Sequence, residues 1–436
     1  MSQRTSTPTA LTPASSPSLT DLAAGATPNR NRAVDFYRAV AMVAVALGHW
    51  MAIAVSANPD GGFSAGNALE QAAGLSWISW VFQVMPLFFV VGGFSSAMSL
   101  DAHNAKAGRP QDWVAARIRR MVAPAIVLAM TWLALIVTGY LSGLGAIIAA
   151  GATAAAIPLW FLSNYTIDTA IAPYVLPRFR RNPVRFAATG AGAFVFFEML
   201  NFAGVPILPH VNWILGWLLF QVAGFAWRDG LLPTGRRMAM VAAVFWGAAL
   251  AAVTVGPYPT SMVNIPGLHL SPTNPPTIAL MLFGAAYSAT AIAAAPAISS
   301  WLTRNTKAWA ATVAANTIAM SVYLWHFTAA SVAGAAFYLL GWLPTAEVGT
   351  TDWWIQKMPL LAASAVVLAG IVALVARYEQ RALLAERTTW DGSEASMVAV
   401  ALVVSACFKL WVMGNIVGIL IATATLTVLW FRRVKA

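Results

Sequence analysis

Between Ala39 and Phe431 the chain repeats one pattern, apolar stretches of about 20 residues separated by short polar or proline-rich segments. Such stretches cannot form a water-facing surface, and only 9% of the residues carry charge, against roughly 25% in an ordinary soluble domain. The bilayer is therefore the solvent. In hydrocarbon every backbone N–H and C=O has to be paired within the chain. Runs of this length do so as helices, not as the short alternating strands of an outer-membrane barrel. The expected fold is all-α, a polytopic membrane helical bundle of about ten core helices plus a C-terminal two-helix hairpin, about twelve spans in all.

The spans are expected at Ala39–Ala57, Ser76–Leu100, Met121–Tyr140, Ile157–Leu176, Phe186–Ala203 and Val211–Trp227, then Met238–Val255, Thr277–Ala295, Ala311–Phe337, Pro359–Ala376, Ala395–Trp411 and Ile416–Phe431. One almost charge-free stretch, Met121 to Trp160, is too long for one helix and short for two with a loop. Three segments follow: residues 1–30 as a disordered cytosolic tail rich in Ser, Thr, Pro and Ala, 31–390 as the main transmembrane domain, and 391–436 as the hairpin. The single cysteine, Cys407, excludes an intrachain disulfide.

The net charge of +11 raises the question of nucleic acid, and the placement of the 26 basic residues answers it. They lie at Arg30–Arg38, Lys106–Arg120, Arg178–Arg185, Arg228–Arg237, Arg304–Lys307, Arg377–Arg387 and Arg432–Lys435, which are alternate connections between spans. This is the positive-inside pattern. It places those loops and both termini in the cytosol, in a multi-pass protein of the cell inner membrane, and leaves no role for nucleic acid. Apart from Arg4, only Lys357 and Lys409 fall outside the set. Trp77, Trp80, Trp353 and Trp354 are expected at outer ends as interfacial aromatics.

The first span opens with Asp35-Phe36-Tyr37-Arg38 and contains His49. Eleven residues of helix make about three turns and a rise of roughly 16 Å, so Asp35, Arg38 and His49 form one stripe from the cytosolic mouth toward mid-membrane. Charged groups cost about 2.5 to 3.5 kcal/mol to insert at the bilayer centre, and a polar stripe of this kind usually lines a cavity. The alternative is a topological arginine and a histidine satisfied by a neighbouring helix. Arg117 and Arg120, three residues apart where the third span enters the membrane, can grip phosphates through charge-assisted bonds, or can simply obey topology. Glu198 is an intramembrane carboxylate that either functions or pairs structurally. In the outer loop Pro257–Pro276, Asn264, His269, Ser271 and Asn274 offer contacts for an acceptor or belong to a rigid connection. His210 and His269 lack a carboxylate cluster nearby, so no metal site is expected.

Taken together, these residues resemble the acyltransferase 3 family, multipass bacterial enzymes that O-acylate glycans, peptidoglycan and secondary metabolites. The resemblance rests on Asp35-x-x-Arg38 followed by His49, on Phe88-Phe89-Val90-Val91-Gly92-Gly93-Phe94, on Arg117-x-x-Arg120, on Trp160-Phe161-Leu162 and on Tyr323-Leu324-Trp325-His326. It covers about Arg32 to Arg387. Gly92 departs from it, standing where many relatives have Ser, and so does Asp168, inside a span that is usually apolar in relatives.

The resemblance implies transfer of an acyl group, acetyl foremost, from a cytosolic acyl-CoA to a hydroxyl of a glycan, cell-wall sugar, lipid or small metabolite. Arg38, Arg117 and Arg120 would take the donor's phosphates. His49 would act as general base or carry the acyl group transiently, with Asp35 orienting Arg38. Trp160, Glu198 and Tyr323 are candidates to line the same cavity, and His326 would either line it or hydrogen-bond within the bundle. No permanently bound cofactor is expected, and the partners are acyl-CoA, the hydroxyl-bearing acceptor and membrane lipids. A proton-coupled transporter using His49 and Glu198 is the rival reading. The absence of a sequence repeat between the halves disfavours it. A glycosyltransferase is disfavoured because the chain has no Asp-x-Asp.

Overall fold

The structure is a computed structural model that describes residues 30–143, 145–265, 270–384, 391–412 and 416–431. The expected disordered tail up to residue 29, His269, the domain boundary at 390, the turn Met413-Gly414-Asn415 and the basic end Arg432–Lys435 lie outside the described residues. The helices are α1 (Arg32–Ala52), α2 (Met85–Asn104), α3 (Pro110–Leu141), α4 (Gly145–Ala156), α5 (Leu159–Arg181), α6 (Pro183–Phe202) and α7 (Asn212–Arg228). There follow α8 (Gly235–Thr254), α9 (Ile278–Arg304), α10 (Thr306–Leu339), α11 (Thr351–Leu384), α12 (Glu394–Val412) and α13 (Ile416–Phe431). The only named sheet among the described residues is a hairpin of β1 (Ile53–Ala57) and β2 (Phe63–Asn67), with Ile53 opposite Asn67.

Among the described residues six helical segments are long and apolar enough to cross a membrane, at Gly74–Asn104, Pro110–Leu141, Gly235–Thr254, Ile278–Arg304, Thr306–Leu339 and Thr351–Val375. The ambiguous stretch after Met121 resolves into α3 and the additional short α4. Here α4 folds back along α3, with Ile148 over Gly139 and Gly151 over the Trp132 ring.

Two expectations are corrected. The first span was expected to reach Ala57, but α1 ends at Ala52 and Ile53–Ala57 is strand. Ile53 turns the backbone extended, and its β-branched side chain and that of Val55 suit a strand. The second span was expected to be continuous from Ser76, but the helix breaks at Gln83 and Val84 and restarts at Met85, where Pro86 occupies the first turn. Gln83 there donates to the Met262 carbonyl at 2.7 Å. Trp353 lies in the first turn of α11. It is fully buried, under the ammonium of Lys357.

Because lipid tails are as apolar as the helices, burial from water does not drive helix pairing here, and close backbone contact does. The tightest seam is α2 on α7. A Cβ added at Gly93 would run into the Gln221 carbonyl oxygen, and one at Gly224 into that of Val90. Gly93→Ala is therefore expected to push the two helices apart and destabilise the protein by about 1 to 3 kcal/mol. Thermal unfolding in detergent checks this, and an unchanged midpoint refutes it. The C-terminal pair sits on the bundle through α12, where Ser163 of α5 donates to the Ser405 carbonyl at 2.9 Å.

Two of the basic segments are tied to neighbouring helix ends. Arg180 at the end of α5 forks between Asp101 of α2 and Asp229 just past α7, each at 2.7 Å. Arg32 donates to the Leu302 carbonyl near the end of α9.

Candidate active site

Val40, Val43 and Leu47 mark the exposed apolar stripe of α1. His49 is nine residues, or two and a half turns, from Val40, so its ring points the opposite way, into the bundle. His49 as a residue is half-buried, and its ring packs against His326 and Phe327.

His49 Nδ1 lies 2.9 Å from His326 Nε2 on α10, with the two rings nearly parallel. His326 is fully buried, and its Nδ1 lies 2.6 Å from the Tyr323 carbonyl oxygen. The tautomers follow from this pairing. A carbonyl oxygen only accepts, so His326 Nδ1 carries the proton, and the Nε2 of that neutral ring must accept. His49 Nδ1 therefore donates, which leaves the lone pair of His49 on Nε2. The Trp50 indole donates to the His326 carbonyl at 2.8 Å, and Phe327 packs on both rings, fixing α1 against α10.

The other end of the stripe is built on serines. Arg38 donates to Ser95 Oγ at 2.7 Å, and Arg117 donates to Ser99 Oγ at 2.5 Å while lying over the Trp113 ring. Ser95 and Ser99, four apart on α2, thus hold two guanidiniums of different helices side by side. Asp35 neutralises them poorly. Its short ion pair, 2.7 Å, goes to Arg30, and Arg38 stands 3.7 Å away. Among the described residues Arg117 makes no ion pair. Arg120 is exposed nearby and shares the electrostatic surroundings of Arg117 with Arg38 and Tyr165.

Between the two ends lies an aromatic wall. Phe161 meets Phe88, Phe89, Tyr165 and Tyr323, and Trp160 packs on Trp217. The Tyr323 hydroxyl donates to the Pro158 carbonyl at 2.5 Å. Tyr165 covers Gly92, where a Cβ would meet its ring at 2.9 Å. The absence of a side chain at Gly92 is the space this tyrosine uses.

Glu198 is placed elsewhere. Its two carboxylate oxygens accept from the Tyr258 hydroxyl and from the Ile278 N–H, each at 2.8 Å, so it caps the start of α9. Burial and then the adjacent carboxylate push the Tyr258 phenol above its usual range, so it stays a donor.

Four contributors were not singled out from sequence: Ser95, Ser99, Tyr165 and Lys357. Lys357 is 2% exposed and donates to the Met51 and Ile53 carbonyls, at 2.8 and 2.5 Å, which end the helix that carries His49. Its signal was its position outside the positive-inside set.

A bundle of membrane helices that buries a histidine pair, with arginines gathered at one end, defines a multipass membrane protein with an enzyme-like interior. The family model described as an acyltransferase domain matches residues 31–378. The chain belongs to that family, acyltransferase 3. Comparisons with curated proteins and with solved structures give no match.

Proposed function

We propose that this membrane acyltransferase moves an acyl group, acetyl foremost, from cytosolic acyl-CoA to a hydroxyl of a glycan, cell-wall sugar, lipid or secondary metabolite. The observation that carries the reading is the His49–His326–Tyr323 relay, which leaves the lone pair of His49 on Nε2, available to take a proton. In the reaction the acceptor hydroxyl gives its proton to that nitrogen while its oxygen attacks the thioester carbonyl carbon. The C–S bond breaks, and the proton leaves with the coenzyme A thiolate. While His49 is charged, the His326 Nε2 lone pair shares the charge through Nδ1–H. The partner is a carbonyl-anchored imidazole rather than a carboxylate, so the pair takes up the proton without a second buried charge.

Arg38, Arg117 and Arg120 would bind the donor's phosphates. Their weak neutralisation by the protein supports this, since an anionic ligand supplies the missing charge. The donor's arm would then cover the roughly 16 Å that separates Arg38 from His49 along α1. In this reading the chain lies in the cytoplasmic membrane with the basic loops and both termini inside, and residues 31–390 carry the activity.

The test is release of free coenzyme A thiol from acetyl-CoA by purified protein given an acceptor pool. Arg117→Ala is expected to raise the KM for the donor by about tenfold, the value of one charged hydrogen bond, and to leave that for the acceptor unchanged. An unaltered donor KM removes the phosphate role, and no thiol release with any acceptor refutes the transfer.

A further inference from the structure

Three helices run side by side away from the aromatic wall. Phe89 of α2 stacks on Trp217 of α7, Trp160 of α5 packs on the same Trp217, and Tyr165 of α5 covers Gly92 of α2. Further along, the Gln221 amide donates to the Asp168 backbone carbonyl, and the Gln221 carbonyl lies against Gly93. Ser96 follows Gly92 by four residues and Gly93 by three, so it lies between the faces turned to α5 and to α7. Asp168, three residues after Tyr165 and one turn after Asn164 on the same helix, enters the same seam.

Ser96, Asn164, Asp168 and Gln221 are each at most 1% exposed. Yet Ser96 Oγ, Asn164 Oδ1 and Nδ2, both Asp168 carboxylate oxygens and Gln221 Oε1 have no hydrogen-bond partner. No described basic side chain forms an ion pair with Asp168. An isolated buried carboxylate is too costly to keep, and orphaned atoms at this density call for a specific explanation. These groups do not satisfy one another, although they share one seam.

We propose that the seam between α2, α5 and α7 is a binding site for a monovalent cation, sodium in particular, held by Asp168 with Ser96, Asn164 and Gln221. The donor set is hard oxygen, which suits alkali and alkaline-earth ions. It brings a single negative charge, and no group of three acidic, histidine or cysteine side chains occurs among the described residues, so a divalent ion would stay under-neutralised. A smaller ion is favoured where α2 and α7 approach to glycine–carbonyl contact. Water would bridge the amides but leave the carboxylate's charge unbalanced. The ion would lock the three helices whose far ends Arg180 already ties, and would steady Tyr165 beside Arg117.

The test needs no catalytic assay, so it stands apart from the acyl-transfer reading. Purified protein is incubated with ²²Na⁺ at constant ionic strength, and thermal unfolding is followed in sodium, potassium and choline chloride. Saturable binding of one equivalent is expected, displaced by sodium and not by potassium, with unfolding raised by several degrees in sodium. Asp168→Asn should abolish both effects. Ser96→Ala, which removes one oxygen without altering charge, should weaken ²²Na⁺ binding by about tenfold and fold normally. Absence of saturable binding, or equal binding by Asp168→Asn, overturns the proposal. So does stabilisation that follows acidification with no cation dependence, which would make Asp168 a neutral acid.

Discussion

Replacing His49 by alanine is expected to lower turnover by about 10² to 10⁴-fold, the range for removal of a positioned general base. Donor binding should persist, because Arg38 stands about three turns away on α1 and Arg117 and Arg120 lie on α3. His326→Phe leaves His49 Nδ1–H without its acceptor and frees the ring to adopt the wrong tautomer. It should cost nearly as much in kcat with little change in donor KM. The two residues act as one unit, so the double variant should be no slower than His49→Ala alone. Single-turnover release of coenzyme A thiol measures all three. Additive losses would mean that the histidines act separately, and full activity of His49→Ala would remove it from the chemistry.

The second large effect is expected at Lys357. Its ammonium supplies donors to the carbonyls of Met51 and Ile53, which a helix end cannot satisfy by itself. It also sets a cation at the negative end of the α1 dipole and over the Trp353 and Trp354 rings, at 4.2 and 5.3 Å. Lys357→Met keeps the stem and removes the donors. Two half-buried carbonyls left without this donor, at about 1 to 3 kcal/mol each, give a loss of about 2 to 6 kcal/mol. Met51 is two residues from His49, so the histidine pairing should loosen as well. Thermal unfolding reads the first effect and turnover at saturating donor the second. An unchanged unfolding midpoint would show that the carbonyls find other partners and that the lysine does not secure the helix.

The loss at Lys357 and the loss at His49 differ in kind. His49→Ala loses chemistry at the cost of one buried hydrogen bond, whereas Lys357→Met loses stability first.

Much of this architecture was legible in the chain. Lipid as solvent followed from charge-poor runs of spanning length. The stripe of Asp35, Arg38 and His49 followed from the helical period, which relates residues of one helix whatever surrounds it. Arg117 was recognisable because three-residue spacing beside a span also lies within one helix. Where α1 gives way to β1 was not legible, because Ile53, Val55 and Ala57 are as apolar as a helix interior. What ends the helix is a lysine 306 positions away.

The sequence by itself thus determined the class of protein, the phase of each polar group on its own helix and the end at which cations gather. Only the tertiary structure decided which helices meet: that His49 bonds His326, that Ser95 and Ser99 hold Arg38 and Arg117 together, and that Glu198 caps a helix end instead of joining the histidines. The physical reason is that inside a bilayer every helix face is apolar, so hydropathy carries no information about partners. Pairing is set by close backbone approach and by the few polar groups that must be satisfied across a seam.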